Sequence, residues 1–406
     1  MSTKKTKATP MSLTPDSIVI AAAARTPMGG FNGSLASASA HDLGGVAIKE
    51  AMRRAGIAPN LVQEVLMGNC LMAGQGQAPA RQAAYKGGLP DSAGAVTLSK
   101  MCGSGMKAAM FAHDMLKAGT CDVMVAGGME SMTNAPYLLL KARNGYRVGE
   151  GKIYDHMMLD GLEDAYKPGQ AMGVFGEQCA SKYGFTREQQ DAFATESVLR
   201  AQRAVASGAF DAEIAPVTIS SRTGDVLVDK DEAPGKVKLD KIPTLKPAFV
   251  KGGTVTAASS SSISDGASAL VLMRAETAEQ LGSQPIARIV AHATHSHEPV
   301  WFTTAPIGAA QKVLAKAGWT KDDVDLWEVN EAFAVVTMAF MQDMGVSHDI
   351  VNVNGGACAL GHPVGATGAR IMTTLIYALK ARGKKRGVAA LCIGGGEATA
   401  VAIELL

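Results

Sequence analysis

The chain has 406 residues, 47% of them hydrophobic, and a net charge of +2. That length exceeds one ordinary core and predicts two or three domains of on the order of 150 residues each. The near-neutral balance excludes a bulk electrostatic partner such as nucleic acid, and no apolar run approaches the roughly 20 residues that span a membrane.

Residues 1–16, MSTKKTKATPMSLTPD, carry three lysines but neither the apolar stretch of a secretory signal nor the arginines of an organellar leader. They are expected to form a disordered tail, with Met11 as a second candidate start. Ser17–Ala24 (SIVIAAAA) reads as a buried strand, turning at Arg25–Gly30 into a helix over His41–Arg54. A strand at Val62–Met67 follows, then Thr97–Lys100 leads into MCGSGMKAAMFAHDMLKAG, a glycine turn feeding a helix that ends at Gly119. The apolar strand Val123–Ala126 is stopped by Gly127–Gly128. Strand, turn, helix and strand at this spacing predict an α/β layered fold with largely parallel strands.

From Ser131 to Gly253 the regular strands give way to charge, proline and helices such as Thr186–Ser207, where Thr186 and Gln189 form a capping-box pair. This stretch is expected to be an inserted loop domain. The strand pattern resumes at Gly266–Met273, and Ala287–Ala291, Pro306–Ala317, Val324–Glu328 and Gly387–Ile393 continue it. CGSGMKAAMFAHDMLKAG…DVMVAGG and HPVGATGARIMTTLIYALKARG…GVAALCIGGG share one plan of glycine turn, helix, apolar strand and glycine stop, which predicts two related halves.

Chemistry concentrates at these turns. Cys102 stands just before a helix, where free amides lower a thiol pKa and favour the nucleophilic thiolate; Gly103 and Gly105 would clear space around the sulfur. A small packed residue is the bland alternative. His362, in a glycine turn held by backbone, has an imidazole able to act as base or acid near neutral pH. Cys392 ends an apolar strand before a glycine turn, the place where open α/β sheets put ligands. Asn330 follows a strand and opens a helix, as an N-cap or as a holder of a substrate oxygen, and Glu331 reads as a helix-start charge. Six cysteines without CxxC spacing are expected as free thiols of a reducing, cytoplasmic compartment. His295 and His297 lack any further ligand pattern, so no metal site is expected.

Together KMCGSGMKA, GGMESMTNAPYLL, VNEAFA, NGGACALGHPVGATGAR and CIGGGEATA, in that order from about Ser17 onward, resemble the thiolase family, most closely its short-chain biosynthetic members. The resemblance implies an α/β fold with a duplicated five-layer αβαβα core and an inserted loop domain. Its divisions are 17–131 plus 264–285 for the first half, 132–263 for the insertion and 286–406 for the second half. It implies Claisen condensation of two acetyl-CoA to acetoacetyl-CoA and CoA, or the reverse, with no metal or other cofactor. In that chemistry Cys102 becomes acetylated, His362 takes its proton and Cys392 moves a proton at the α-carbon of the second acetyl group. One oxyanion hole combines His362 with a water on Asn330; the other uses the amides of Cys102 and Gly394. Ser261, Met172, Phe249, Phe333 and Leu162 are the implied coenzyme A and acyl contacts.

The chain departs from the family pattern at two places. ASSSSISDGA (258–267) stands where members often carry GNASGxNDGA, and Ala171-Met172-Gly173 replaces a common HMG, which leaves acyl-chain preference open. Alternatives are a broader 3-ketoacyl-CoA thiolase, a decarboxylating ketoacyl synthase, against which Cys392 argues, and a non-catalytic acyl-CoA-binding scaffold. The basic residues Lys141, Arg143, Arg147 and Lys152 lie where tetrameric thiolases carry a cationic assembly loop, which implies a homotetramer built as a dimer of dimers.

Overall fold

The computed structural model describes residues 13–222 and 224–406; the expected tail lies outside the described residues as far as residue 12. The principal strands are β1 (Ile18–Arg25), β2 (Glu64–Gly68), β3 (Gly94–Leu98), β4 (Val123–Ser131), β5 (Ser264–Arg274), β6 (Ala287–Ser296), β7 (Leu326–Val329), β8 (Arg386–Ile393) and β9 (Glu397–Leu405). The principal helices are α1 (Ala40–Ala55), α2 (Pro79–Lys86), α3 (Ser104–Lys117), α4 (Gly173–Tyr183), α5 (Arg187–Ala206), α6 (Ala305–Ala317), α7 (Ala334–Met344) and α8 (Thr367–Ala381).

The strands run in the order β7-β8-β9-β6-β1-β5-β4-β2-β3. Each half repeats one scheme. In the first, β2 and β4 are parallel, and β4–β5 and β5–β1 are antiparallel. In the second, β7 and β8 are parallel, and β8–β9 and β9–β6 are antiparallel. Both copies carry the same register shift, between Ile20 and Ala22 in β1 and between Ile289 and Ala291 in β6. Among the described residues only two pairs, Val19 with Arg288 and Ile20 with Ala287, join the two sheets edge to edge. The largely parallel sheet expected from the sequence is therefore corrected to a mixed one. The antiparallel partners β5 and β9 each lie far along the chain from at least one of the strands they pair with, so local spacing could not reveal them.

Alternation along the strands sorts the interior into layers, because successive side chains face opposite sides of a sheet. Val271 packs outward with Leu43, Ile48 and Ala83 under α1 and α2. Its neighbours Leu270 and Leu272 point inward with Met106 and Met110 of α3 and Ile371 and Leu375 of α8, against Leu391 and Val401 of the second sheet. Val388 and Ala400 face the far side with Val313, Trp327 and Phe340 beneath α6 and α7. Helix, sheet, helix pair, sheet and helix give five layers around three cores, and α3 and α8 are the buried middle.

Gly127 and Gly128 do not stop β4, which runs through them to Ser131. They make room instead: a Cβ on Gly127 would lie 2.2 Å from the Ser268 carbonyl oxygen, and one on Gly128 2.0 Å from that of Gly365. The middle helices meet by the same device. A Cβ on Gly105 would lie 2.8 Å from the Ala369 amide nitrogen, and one on Gly368 2.3 Å from that of Met106. Residues 132–263 contain α4, α5, whose capping box at Thr186 and Gln189 is present, and a hairpin of Val217–Ser221 with Gly224–Val228. Among the described residues no helix is long and apolar enough to cross a membrane.

Candidate active site

The close approach of α3 to α8 sets the site, because each helix is preceded by a turn that carries a reactive side chain. Before α3 the chain doubles back through Met101, whose φ of 44° is a left-handed conformation unusual for a non-glycine residue. Ser104 Oγ fixes this turn by accepting from the Lys100 amide at 2.8 Å and donating to the Met101 carbonyl at 2.7 Å. Cys102 is thereby aimed into a narrow cavity of about 70 Å³. Gly103 and Gly105 do not clear space for the sulfur as expected. Gly103 admits Ile393, whose Cδ1 would lie 2.4 Å from an added Cβ, and Gly105 admits the start of α8.

Before α8, His362 follows Gly361, whose φ is +97°. Its amide donates to the Ser262 carbonyl at 3.1 Å, but the ring is held by a side chain rather than by backbone alone. Nδ1 lies 2.6 Å from Thr367 Oγ1, and that hydroxyl donates to the Pro363 carbonyl at 2.9 Å. A hydroxyl has one hydrogen, so Thr367 accepts from Nδ1–H and Nε2 keeps its lone pair. Nε2 has no partner among the described residues, and His362 lines the same cavity as Cys102.

Burial governs the charges. It pushes the Cys102 thiol up to about 11, against the Gly394 and Cys102 amides, which pull it down. The expected lowered thiol pKa is corrected: the apolar surroundings outweigh the helix end. Burial, followed by the Arg370 charge, pushes His362 down to about 3. Both shifts favour a neutral thiol beside a neutral imidazole.

Gly394 completes the cavity, and its amide reaches the Cys102 sulfur. Cys392, at the end of β8, is fully buried among Phe175, Cys179, Phe302 and Phe333. It lies close enough for Cys102 to raise its own thiol pKa further, after burial, although it is not part of the cavity lining. Asn330 follows β7, and its amide nitrogen donates to Ala390. It does not open a helix, since α7 starts at Ala334 with Phe333 as its N-cap. Both polar atoms of its side chain are buried without a partner among the described residues, the condition of an amide reserved for something other than protein. Glu331 is likewise no helix-start charge. It is fully buried and accepts from Ser197 Oγ at 2.7 Å, Asn352 Nδ2 at 2.8 Å and the Cys358 amide at 3.1 Å.

Ser261, Met172, Leu162 and Phe333 line the cavity. Phe249 does not; it packs edge to face on Phe333 at 5.8 Å and borders a wider groove of about 520 Å³ with Lys167, Gln170 and Ala171. The serine-rich segment is a brace: Ser261 donates its amide to Ala332, Ser262 holds His362, and Ser259 Oγ accepts from the Thr256 amide at 2.9 Å.

Four participants escaped sequence reasoning. Phe302 and Val364 line the cavity, and Thr367 orients the imidazole; a threonine five residues after the histidine at a helix start was the available signal. Glu130, fully buried, accepts from Asn69 Nδ2 at 2.6 Å and the amides of Cys70 at 2.9 Å, Leu71 at 3.1 Å and Gly365 at 2.8 Å. It ties the loop after β2 to the His362 turn.

A thiol, a lone-pair imidazole and converging amides around a small apolar space suit acyl transfer through a cysteine. Comparison with known proteins agrees. Residues 18–276 match the model of the thiolase N-terminal domain and residues 283–405 that of the thiolase C-terminal domain. Acetyl-CoA acetyltransferase 2 of Arabidopsis thaliana is 50% identical, covering 97% of this chain and 98% of its own. Acetyl-CoA acetyltransferase of Cupriavidus necator is 48% identical, covering 95% and 99%. The crystal structure of the Bacillus anthracis acetyl-CoA acetyltransferase superposes with a TM-score of 0.93 at 41% identity, covering 96% of this chain and 99% of that one. A thiolase from Ascaris suum in complex with coenzyme A does so with a TM-score of 0.91 at 41% identity, covering 96% and 100%.

Proposed function

This chain belongs to the thiolase family, and from that premise we propose that it is an acetyl-CoA C-acetyltransferase joining two acetyl-CoA into acetoacetyl-CoA and CoA, or running the reverse thiolysis. The observation that carries this reading is the lone pair of His362 Nε2 turned into the cavity that Cys102 enters. Cys102 attacks the first thioester carbonyl while its proton passes to His362 Nε2. Because burial keeps both groups neutral, transfer accompanies attack rather than preceding it. The C–S bond to coenzyme A breaks, the departing thiolate takes the proton back from His362, and the acetyl group rests on Cys102. A thioester exchanged for a thioester keeps the step nearly balanced.

Cys392 passes its thiol proton to His362 Nε2 and its thiolate takes an α-proton from the second acetyl-CoA; the enolate carbon attacks the acetyl carbonyl, and the expelled Cys102 sulfur takes the proton back from His362. The amides of Cys102 and Gly394 receive the negative oxygen of the acyl step, supported by their reach to the sulfur. A water on Asn330, whose side-chain amide has no partner among the described residues, and the Nε2–H that His362 carries at this stage receive the enolate oxygen. Each oriented donor contributes about 3 kcal/mol to such a charge. Met172 and Leu162 line the narrow cavity of about 70 Å³ that Cys102 enters, and its tightness favours an acetyl over a long acyl chain. Phe249 and Ser261 flank the approach of the pantetheine arm.

Residues 17–131 plus 264–285, 132–263 and 286–406 are taken as first half, insertion and second half, supported by the pairing of β5 beside β4 across the intervening stretch. A cytoplasmic enzyme is supported by six free cysteines. A homotetramer is supported by an exposed segment in which Tyr137, Leu139, Leu140, Val148 and Ile153 accompany the basic residues 141–152; light scattering that finds only a dimer removes it. Incubation with labelled acetyl-CoA tests the central claim: wild type holds one acetyl group on Cys102 and Cys102→Ala holds none and does not turn over. Equal turnover by that variant sinks the reading. Comparable rates on C4 and C8 3-ketoacyl-CoA substrates would favour the broader thiolase, which the wide groove beside Ala171 permits.

A further inference from the structure

Away from the cavity, three side chains converge where α3 of the first half meets β6 of the second. His292 Nε2 is 2.9 Å from Asp114 Oδ1 and 3.2 Å from His113 Nδ1, and His113 Nδ1 is 3.0 Å from the same Asp114 oxygen. The rings pack edge to face with centroids 4.8 Å apart. The histidine side chains are mostly buried, 15% and 14% exposed, whereas Asp114 is 56% exposed. Lys107 and Lys117 lie near the group, and Lys316 Nζ donates to the His292 carbonyl at 3.0 Å.

Hydrogen bonding alone leaves this triangle incomplete. Its three edges need three hydrogens, and two imidazole nitrogens facing a carboxylate supply at most two. A single cation above the triangle satisfies all three atoms together. Ligands held about 2.0–2.1 Å from an ion in tetrahedral or octahedral geometry lie about 2.9–3.4 Å from one another. The observed 2.9, 3.0 and 3.2 Å fall inside that range, with the ion about 1 Å out of the plane of the three atoms. Among the described residues this is the one group of three metal-capable side chains so placed.

We propose that His113, Asp114 and His292 form a binding site for a divalent first-row transition ion of the imidazole-preferring class, with water completing its shell on the exposed Asp114 side. The ion clips α3 to β6 and so joins the two halves. It sits about 14 Å along α3 from the Cys102 end, too far to take part in acyl transfer.

The test titrates Zn²⁺, and Co²⁺ for spectroscopy, into the full chain after chelator treatment. Wild type takes up one ion per chain, melts a few degrees higher with it, and gives a Co²⁺ spectrum of nitrogen and oxygen ligation without a thiolate charge-transfer band. His292→Gln and the exposed variant Asp114→Asn each bind about tenfold more weakly or worse, with turnover of acetyl-CoA unchanged. Absence of saturable uptake, binding that survives both substitutions, or a thiolate band placing the ion on cysteines overturns the proposal.

Discussion

Thr367 Oγ1 accepts a 2.6 Å hydrogen bond from His362 Nδ1 because its own hydrogen is committed to the Pro363 carbonyl. One hydroxyl therefore fixes both the orientation of the ring and the identity of the nitrogen left bare. Thr367→Val should lower kcat by about tenfold to a hundredfold while KM stays near wild type, and Thr367→Ser should recover most of the loss. Steady-state kinetics on all three proteins decides it; a Val variant with full kcat would show that the hydroxyl only fills space.

Cys392 is assigned to the second acetyl group alone. Cys392→Ala should still acquire an acetyl group on Cys102, seen by intact mass, while condensation falls at least about a hundredfold. If acylation and condensation fall together, the sulfur supports Cys102 rather than the α-proton.

Burial holds His362 neutral down to about 3 and Cys102 protonated up to about 11. Neither group changes charge between those limits, so kcat/KM should be flat from about pH 5.5 to 8, without the inflection near 6.5 of an ordinary histidine base. The same shift bears on stability. The unfolded chain takes a proton on this ring below about pH 6.5, and the folded chain refuses it until about 3, so stability is full above 6.5 and is lost as pH falls through that window. His362→Asn should flatten the acid side of a melting-temperature profile; an unchanged slope there would assign the acid loss to other groups.

Gly368→Ala would set a Cβ 2.3 Å from the Met106 amide nitrogen. Backbone cannot rotate away, so destabilisation of about 1–3 kcal/mol is expected, together with lost turnover as the two helices separate. Gly235→Ala, where the nearest atom is 3.9 Å from the added carbon, is the control. Equal denaturant midpoints for the two variants would refute the tight crossing.

The reactive turns were legible in the sequence because their information is local: a glycine, a histidine or cysteine and a helix start occupy a few adjacent residues. Cavity walls such as Met172, Ser261 and Phe333 were legible only through resemblance, since nothing in their own neighbourhoods marks them. What escaped was long-range. Gly127–Gly128 read as a strand end because glycine ends strands, yet here it admits a neighbouring backbone. Glu331 read as a helix-start charge because the partners that bury it, Ser197 and Asn352, lie 134 and 21 residues away along the chain. His113 and His292 are 179 residues apart, so no spacing rule could join them.

The glycine crossing of α3 and α8 also constrains how this gene can drift. Sulfur comes from one half and imidazole from the other, and the seam between them leaves no room for a methyl group at position 105 or 368. The two copies are free to diverge elsewhere, but at that seam they must evolve as a single locus.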